Sequence, residues 1–91
     1  MKKYVIERAI PGVHTLGPDQ LKGAAATSNT ALAKLGPEKV QWIESFISED
    51  KTFCLYLAVD EAAVREHAAL SGFPATKITE VTGRIDPATA G

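Results

Sequence analysis

Leu21, Ala25, Ser28, Leu32 and Leu35 follow one another at separations of four, three, four and three residues, which is the apolar stripe of one helix face. Pro18 suits the first turn of that helix, and Gly36 followed by Pro37 ends it. The constraint on the fold comes from what flanks it, because the stretches on either side repeat every two residues rather than every 3.6. Before it, "KYVIERAI" (3–10) alternates, carries β-branched and aromatic residues, and stops at Pro11 and Gly12. After it, 39–48 and 52–59 read as two strands joined at the polar turn "SEDK". A second helix starts at Asp60, a good N-cap, and runs through "EAAVREHAALSG" to a stop at Gly72, Phe73 and Pro74. A last strand covers 76–85, "TKITEVTGRI", where Gly83 permits a bulge. The order β-α-β-β-α-β defines an α+β, ferredoxin-like chain. Right-handed crossovers make strands one and three central neighbours and strands two and four the edges of a four-stranded antiparallel sheet. Both helices then cover one face and leave the other open.

A chain of 91 residues makes one domain, 1–91, with 85–91 expected to fray as a flexible tail. A domain of this size buries only about 60–65 % of the surface its unfolded form exposes, so its core has to be efficient. Apolar residues make up 45 % of the sequence, and Ala supplies much of that, which lets helices approach a sheet closely. Ten basic side chains against eleven acidic ones, with no basic run longer than Lys2-Lys3, give no positive stripe for nucleic acid. The apolar part of "MKKYVIERAI" is interrupted by Glu7 and Arg8, short of a secretory signal, and nothing later suggests a membrane span. A cytoplasmic protein is expected. The lone Cys54 fits a reducing compartment.

Alternation sorts each strand into two faces. Phe53, Leu55, Leu57 and Val59 form a purely apolar row that is expected beneath the helices, with Ile43, Ile47, Ile6 and Ile10 beside it. Cys54, Tyr56, Ala58, Val40, Trp42, Glu44, Phe46, Val5, Glu7 and Ala9 then belong to the open face, and Arg8 turns toward the helices and has to snorkel out. An aromatic patch of that kind rarely stays in water on a monomer, so a homodimer through the open faces is expected. Aromatic walls around Glu7 and Glu44 describe a ligand cleft at or beside that interface. Glu7, Trp42, Glu44 and Tyr56 are therefore the candidate ligand-binding residues. Two carboxylates brought together there would raise one another's pKa and could share a proton or a cation, while Trp42 and Tyr56 could stack on a flat or cationic ligand. Cys54 is a soft metal ligand or nucleophile, or else a small buried hydrophobe. His67 is a metal or proton-transfer candidate, or else a hydrogen-bonded structural residue, and His14 reads as a solvated loop residue. Signatures for phosphate loops, Ser-His-Asp triads, HExxH and CxxC are absent.

"YVIERAIPG", "QWIESF", "FCLYLAVDEAAVREHA", "GFP" and the closing "ITEV" with "IDP" together resemble a bacterial family of small domains of unknown function, some of whose members are called nickel-binding proteins. The resemblance covers nearly the whole chain and is most specific from Cys54 to Pro74. It implies a dimerising ferredoxin-like domain and a divalent metal such as nickel. Nickel-binding relatives are richer in His where this sequence has Arg8, Ala9 and Phe73, so the implied metal role falls on Cys54 and His67 alone.

Three functions are compatible with this pattern. The first is a small dimeric protein that binds a small molecule or divalent cation on its open sheet face. The second is a cofactor-free enzyme with a carboxylate general base beside Tyr56. The third is a protein-interaction module.

Overall fold

The structure, a computed structural model, describes residues 1–91. Its sheet consists of β1 (Lys2–Ala9), β2 (Val40–Ile47), β3 (Lys51–Ala58) and β4 (Lys77–Val81), with α1 (Pro18–Leu35) and α2 (Glu61–Ser71) in the two crossovers. All pairings are antiparallel and the strand order is β2-β3-β1-β4, the ferredoxin-like arrangement expected from the periodicities. No helix is long and apolar enough to cross a membrane.

The helix ends follow local chemistry. Pro18 opens α1, and the Gln20 side chain accepts the Gly17 N–H at 2.9 Å, satisfying one of the donors a helix start leaves free. Asp60 caps α2 by accepting the Ala63 N–H at 2.9 Å. Gly36 (φ 91°) and Gly72 (φ 79°) end the two helices in backbone conformations that favour glycine, each donating its N–H to the carbonyl four residues back. β4 stops at Val81 rather than continuing to 85, because Val81 pairs with Lys3 and β1 offers no strand partner beyond Lys2. Within the segment expected to fray, Pro87–Ala90 forms a short 3-10 turn with no buried residue.

The face assignment is half corrected. On β1 it stands: Tyr4, Ile6 and Arg8 point to the helices, and Val5 and Glu7 to the open face. β3 is inverted. Ile6 lies opposite Cys54 and Tyr4 opposite Tyr56, so Thr52, Cys54, Tyr56 and Ala58 are the buried row and Phe53, Leu55 and Leu57 face outward. On β2 the alternation breaks at a bulge between Trp42 and Glu44. Val40 and Trp42 therefore lie under the helices, Ile43 is extruded and exposed, and Glu44 and Phe46 reach the open face as expected.

Helix composition explains the inversion. α1 and α2 bring Ala31, Ala63 and Ala68 to the sheet, and the buried row of β3 carries one large side chain, Tyr56, among the small Thr52, Cys54 and Ala58, so helix and sheet approach closely where the small residues meet. The resulting core joins Tyr4, Ile6, Leu35, Val40, Cys54, Tyr56, Ala58, Ala63 and Val64. Each large aliphatic member contributes about 1.5–3 kcal/mol relative to remaining exposed.

Candidate functional site

The core does not fill the whole space beneath the helices. Under the N-terminal half of α1, where Leu21 is followed by the short side chains of Ala24, Ala25 and Ser28, a cavity of about 410 Å³ remains. Its floor is the sheet, through Arg8, Trp42, Ser45, Ile47, Thr52, Cys54 and Tyr56. The segment after β1 supplies Ile10, Val13 and Leu16, and the turn after α2 supplies Phe73 and Pro74. The loop wall is held in place: Ile10 donates its N–H to the Asp50 carbonyl at 2.9 Å, and Gly12 donates to Asp50 Oδ1 at 3.0 Å. Alanine methyls cannot span the gap between helix and sheet, which is why the space is open at this end. A second hollow, of about 500 Å³, is a surface depression between Met1–Lys3 and Glu80–Arg84.

Polar groups gather on the cavity floor. Arg8 is only 3 % exposed, yet none of the five ion pairs in the protein involves it. Its Nη1 donates to the Pro74 carbonyl at 2.9 Å, and its Nη2 makes a long contact of 3.4 Å to the Tyr56 hydroxyl. The guanidinium carbon lies 6.0 Å from the Tyr56 ring centre and 5.7 Å from that of Phe73, within range of cation–π attraction. Burial pushes the Tyr56 phenol above its usual pKa, outweighing the opposing pull of Arg8 and Ser28, so the hydroxyl stays protonated and able to donate.

His67 is fully buried behind this group. Its Nε2 lies 3.1 Å from Ser28 Oγ, its ring centre is 5.0 Å from that of Tyr56, and Nδ1 has no partner. Burial lowers its pKa, Arg8 lowers it further, and the Ser28 hydrogen bond opposes both, so the imidazole is neutral at pH 7. A neutral native His67 binds fewer protons than the unfolded chain below about pH 6.5, so that part of the stability is complete above this pH and is lost as pH falls toward the depressed native pKa. Urea unfolding should therefore show lower stability near pH 5.5 than near pH 7.5, and His67→Gln should flatten that slope. An unchanged slope in the variant would assign the effect to other groups.

The expected candidates divide between the two sides of the sheet. Trp42, Cys54 and Tyr56 line the cavity, beneath the helices instead of on the open face where they were expected. Glu7 and Glu44 do lie on the open face. β3 separates their strands and their positions are offset by two residues along it, which holds their backbones about 12 Å apart, and Glu7 pairs with Lys51 at 3.6 Å. They form no carboxylate pair and share no site with Trp42 or Tyr56. No carboxylate lines the cavity, so the general base of the enzyme reading has no residue there. His14 is exposed and contacts the Glu49 carbonyl at 2.7 Å. Arg8 and Ser28, absent from the sequence-derived candidates, are the polar centre of the site.

A ferredoxin-like α+β domain with a ligand-sized cavity between its sheet and first helix is thus the class of protein that fold and site define. A family profile described as "Nickel responsive protein SCO4226-like" matches residues 4–81, and the chain belongs to this SCO4226-like family. Its fold is similar to that of SCO4226 from Streptomyces coelicolor A3(2), a crystal structure, with a TM-score of 0.73 and 22 % sequence identity over 91 % of this chain and 99 % of that one. No curated protein matches this chain.

The donor set within this chain does not fit a nickel ion. No group of three or more His, Cys, Asp or Glu side chains comes together anywhere. His67 is sealed between Ser28 and Tyr56, and the buried Cys54 thiol lies 3.5 Å from the Thr52 hydroxyl with no acid lining the space around it.

Proposed function

We propose that this protein is a small-molecule binding protein whose ligand occupies the cavity between α1 and the sheet. The observation that carries this reading is the cavity itself. At about 410 Å³ it falls within the range of ligand sites, and a few convergent polar groups interrupt its largely apolar walls. A core left open at this scale costs stability, since interiors are otherwise close-packed and each unfilled volume forfeits dispersion contacts. Trp42, Tyr56 and Cys54 serve as walls of this site. Since Cys54 and His67 lack further ligands, the bound species is organic instead of a divalent cation.

The same reading includes a homodimer formed through the open sheet face. Val5, Phe53, Leu55, Leu57 and Val81 are only half-buried there, and Phe46 is 54 % exposed, with no element above them. A second copy suits this surface because its charges are self-complementary. With a two-fold axis along the strands, the β2 edge bearing Glu44 lies over the β4 edge bearing Lys77. The net charge of −1 adds little repulsion.

A thermal-shift panel of small organic metabolites and divalent metals, nickel included, tests the binding reading. A cavity ligand present at a hundred times its dissociation constant adds about 2.7 kcal/mol, which raises the unfolding midpoint by roughly 10 °C or more in a domain this small. A response to nickel alone, or none across the panel, would count against it.

A further inference from the structure

The cavity reading leaves one feature unexplained, a cation buried on the floor of a largely apolar site with no counter-ion. Arg8 is the only charged residue among those lining the cavity. Its carbonyl and phenol contacts satisfy hydrogen bonds but supply no negative charge. A buried ion loses its hydration, and only a charge of opposite sign or an exceptional hydrogen-bond shell offsets that loss. Resting on the cavity being a ligand site, we propose that its ligand is an organic carboxylate. The monoanionic head group pairs with Arg8, and the apolar body lies along Val13, Leu16, Trp42 and Phe73.

Three observations select this chemistry. A guanidinium presents its donors as a planar fork that matches a carboxylate in a bidentate pair. Tyr56, whose hydroxyl lies beside Arg8, remains protonated and donates to the same head group. His67 is neutral, so the site holds a single positive charge, which one carboxylate cancels and a phosphate dianion would overshoot among largely apolar walls. The remaining walls make no other charge demand, so the body of the ligand is apolar.

Matched acid and amide pairs of increasing size test this: benzoate with benzamide, octanoate with octanamide, and 1-naphthoate with 1-naphthamide, together with 1-naphthyl phosphate. Trp42 lines the cavity and is the only tryptophan, so its fluorescence reports occupancy directly. At least one acid should bind saturably and about 10- to 100-fold more tightly than its amide. In Arg8→Met the acid should fall to the level of its amide while the amide is retained. Arg8→Lys keeps the charge but not the fork, so it should hold only part of the preference and covers the case in which the Met variant does not fold. If an amide binds as well as its acid, if the Arg8 variants keep the full preference, or if the phosphate binds most tightly, the carboxylate assignment is wrong while the cavity reading survives. If nothing in the series binds, both fall.

Discussion

Replacing Ala25 by Leu is expected to leave the protein folded, raise its unfolding midpoint and weaken cavity binding of the tightest-binding acid of the series by about 100-fold, or ~2.7 kcal/mol. Ala25 lines the cavity from α1, so three additional carbons enter the cavity. At about 0.8 kcal/mol per buried methylene they contribute roughly 2 kcal/mol, and fixing the Leu rotamer offsets about 0.5–1 of it. The net gain of ~1 kcal/mol corresponds to a midpoint rise of about 4–8 °C in a domain of this size. Helix propensity is nearly unaffected, because Leu ranks just below Ala. Ala26→Leu, one position on and exposed, is the control and should change neither quantity appreciably. Differential scanning calorimetry and Trp42 fluorescence titration read the two effects. A filled cavity with unchanged affinity would place binding elsewhere.

The topology was legible in the sequence because each element carries its own punctuation. The 4-3-4-3 stripe of α1 turned Ser28, Leu32 and Leu35 inward as its spacing requires, and Asp60 and Gly72 mark both ends of α2. The site was harder to read, for two physical reasons. On β3 both rows of side chains are apolar enough to be buried, so alternation separates them without saying which is inside. The choice depends on the thickness of the alanine-faced helices and on pairing with β1, and β1 is remote in sequence. On β2, one extra residue at Ile43 moves everything before it to the other face.

Arg8 shows how much was legible even so. It alternates with Ile6 and Ile10 and so had to share their side of the sheet, and a charge in a row of isoleucines was the available sign of a polar site beneath the helices. Reading it as a snorkelling residue explained the charge away. The structure keeps the side chain inside, where it meets Tyr56, Pro74 and Phe73. Tyr56 lines the cavity, on the opposite face of the sheet from the acids with which it was grouped. Those acids lie on the open face, and the sheet separates them from the cavity.

That surface leads to the second large effect. Leu55→Arg should convert the protein from a species of twice the 9.7 kDa chain mass to a monomer at micromolar concentration, with the fold intact. Leu55 is on central strand β3, between Glu44 on β2 and Val5 on β1, near the middle of the open face. In the isolated chain an Arg there reaches solvent, so the variant loses about 1 kcal/mol or less in strand preference. In a two-fold dimer every substitution occurs twice, and near the axis the two new cations face each other in a dry interface. Glu44 beside each new cation offsets part of the desolvation cost, but enclosing both guanidinium groups still weakens association by roughly a hundredfold or more. Sedimentation velocity on parent and variant decides the matter: a monomeric parent removes the dimer, and a dimeric variant moves the contact to another surface. The cavity opens on the other side of the sheet, so binding of the tightest-binding acid to the Leu55→Arg monomer should equal that of the parent. A loss of binding on dissociation would mean that the second copy shapes the cavity through the strands they share.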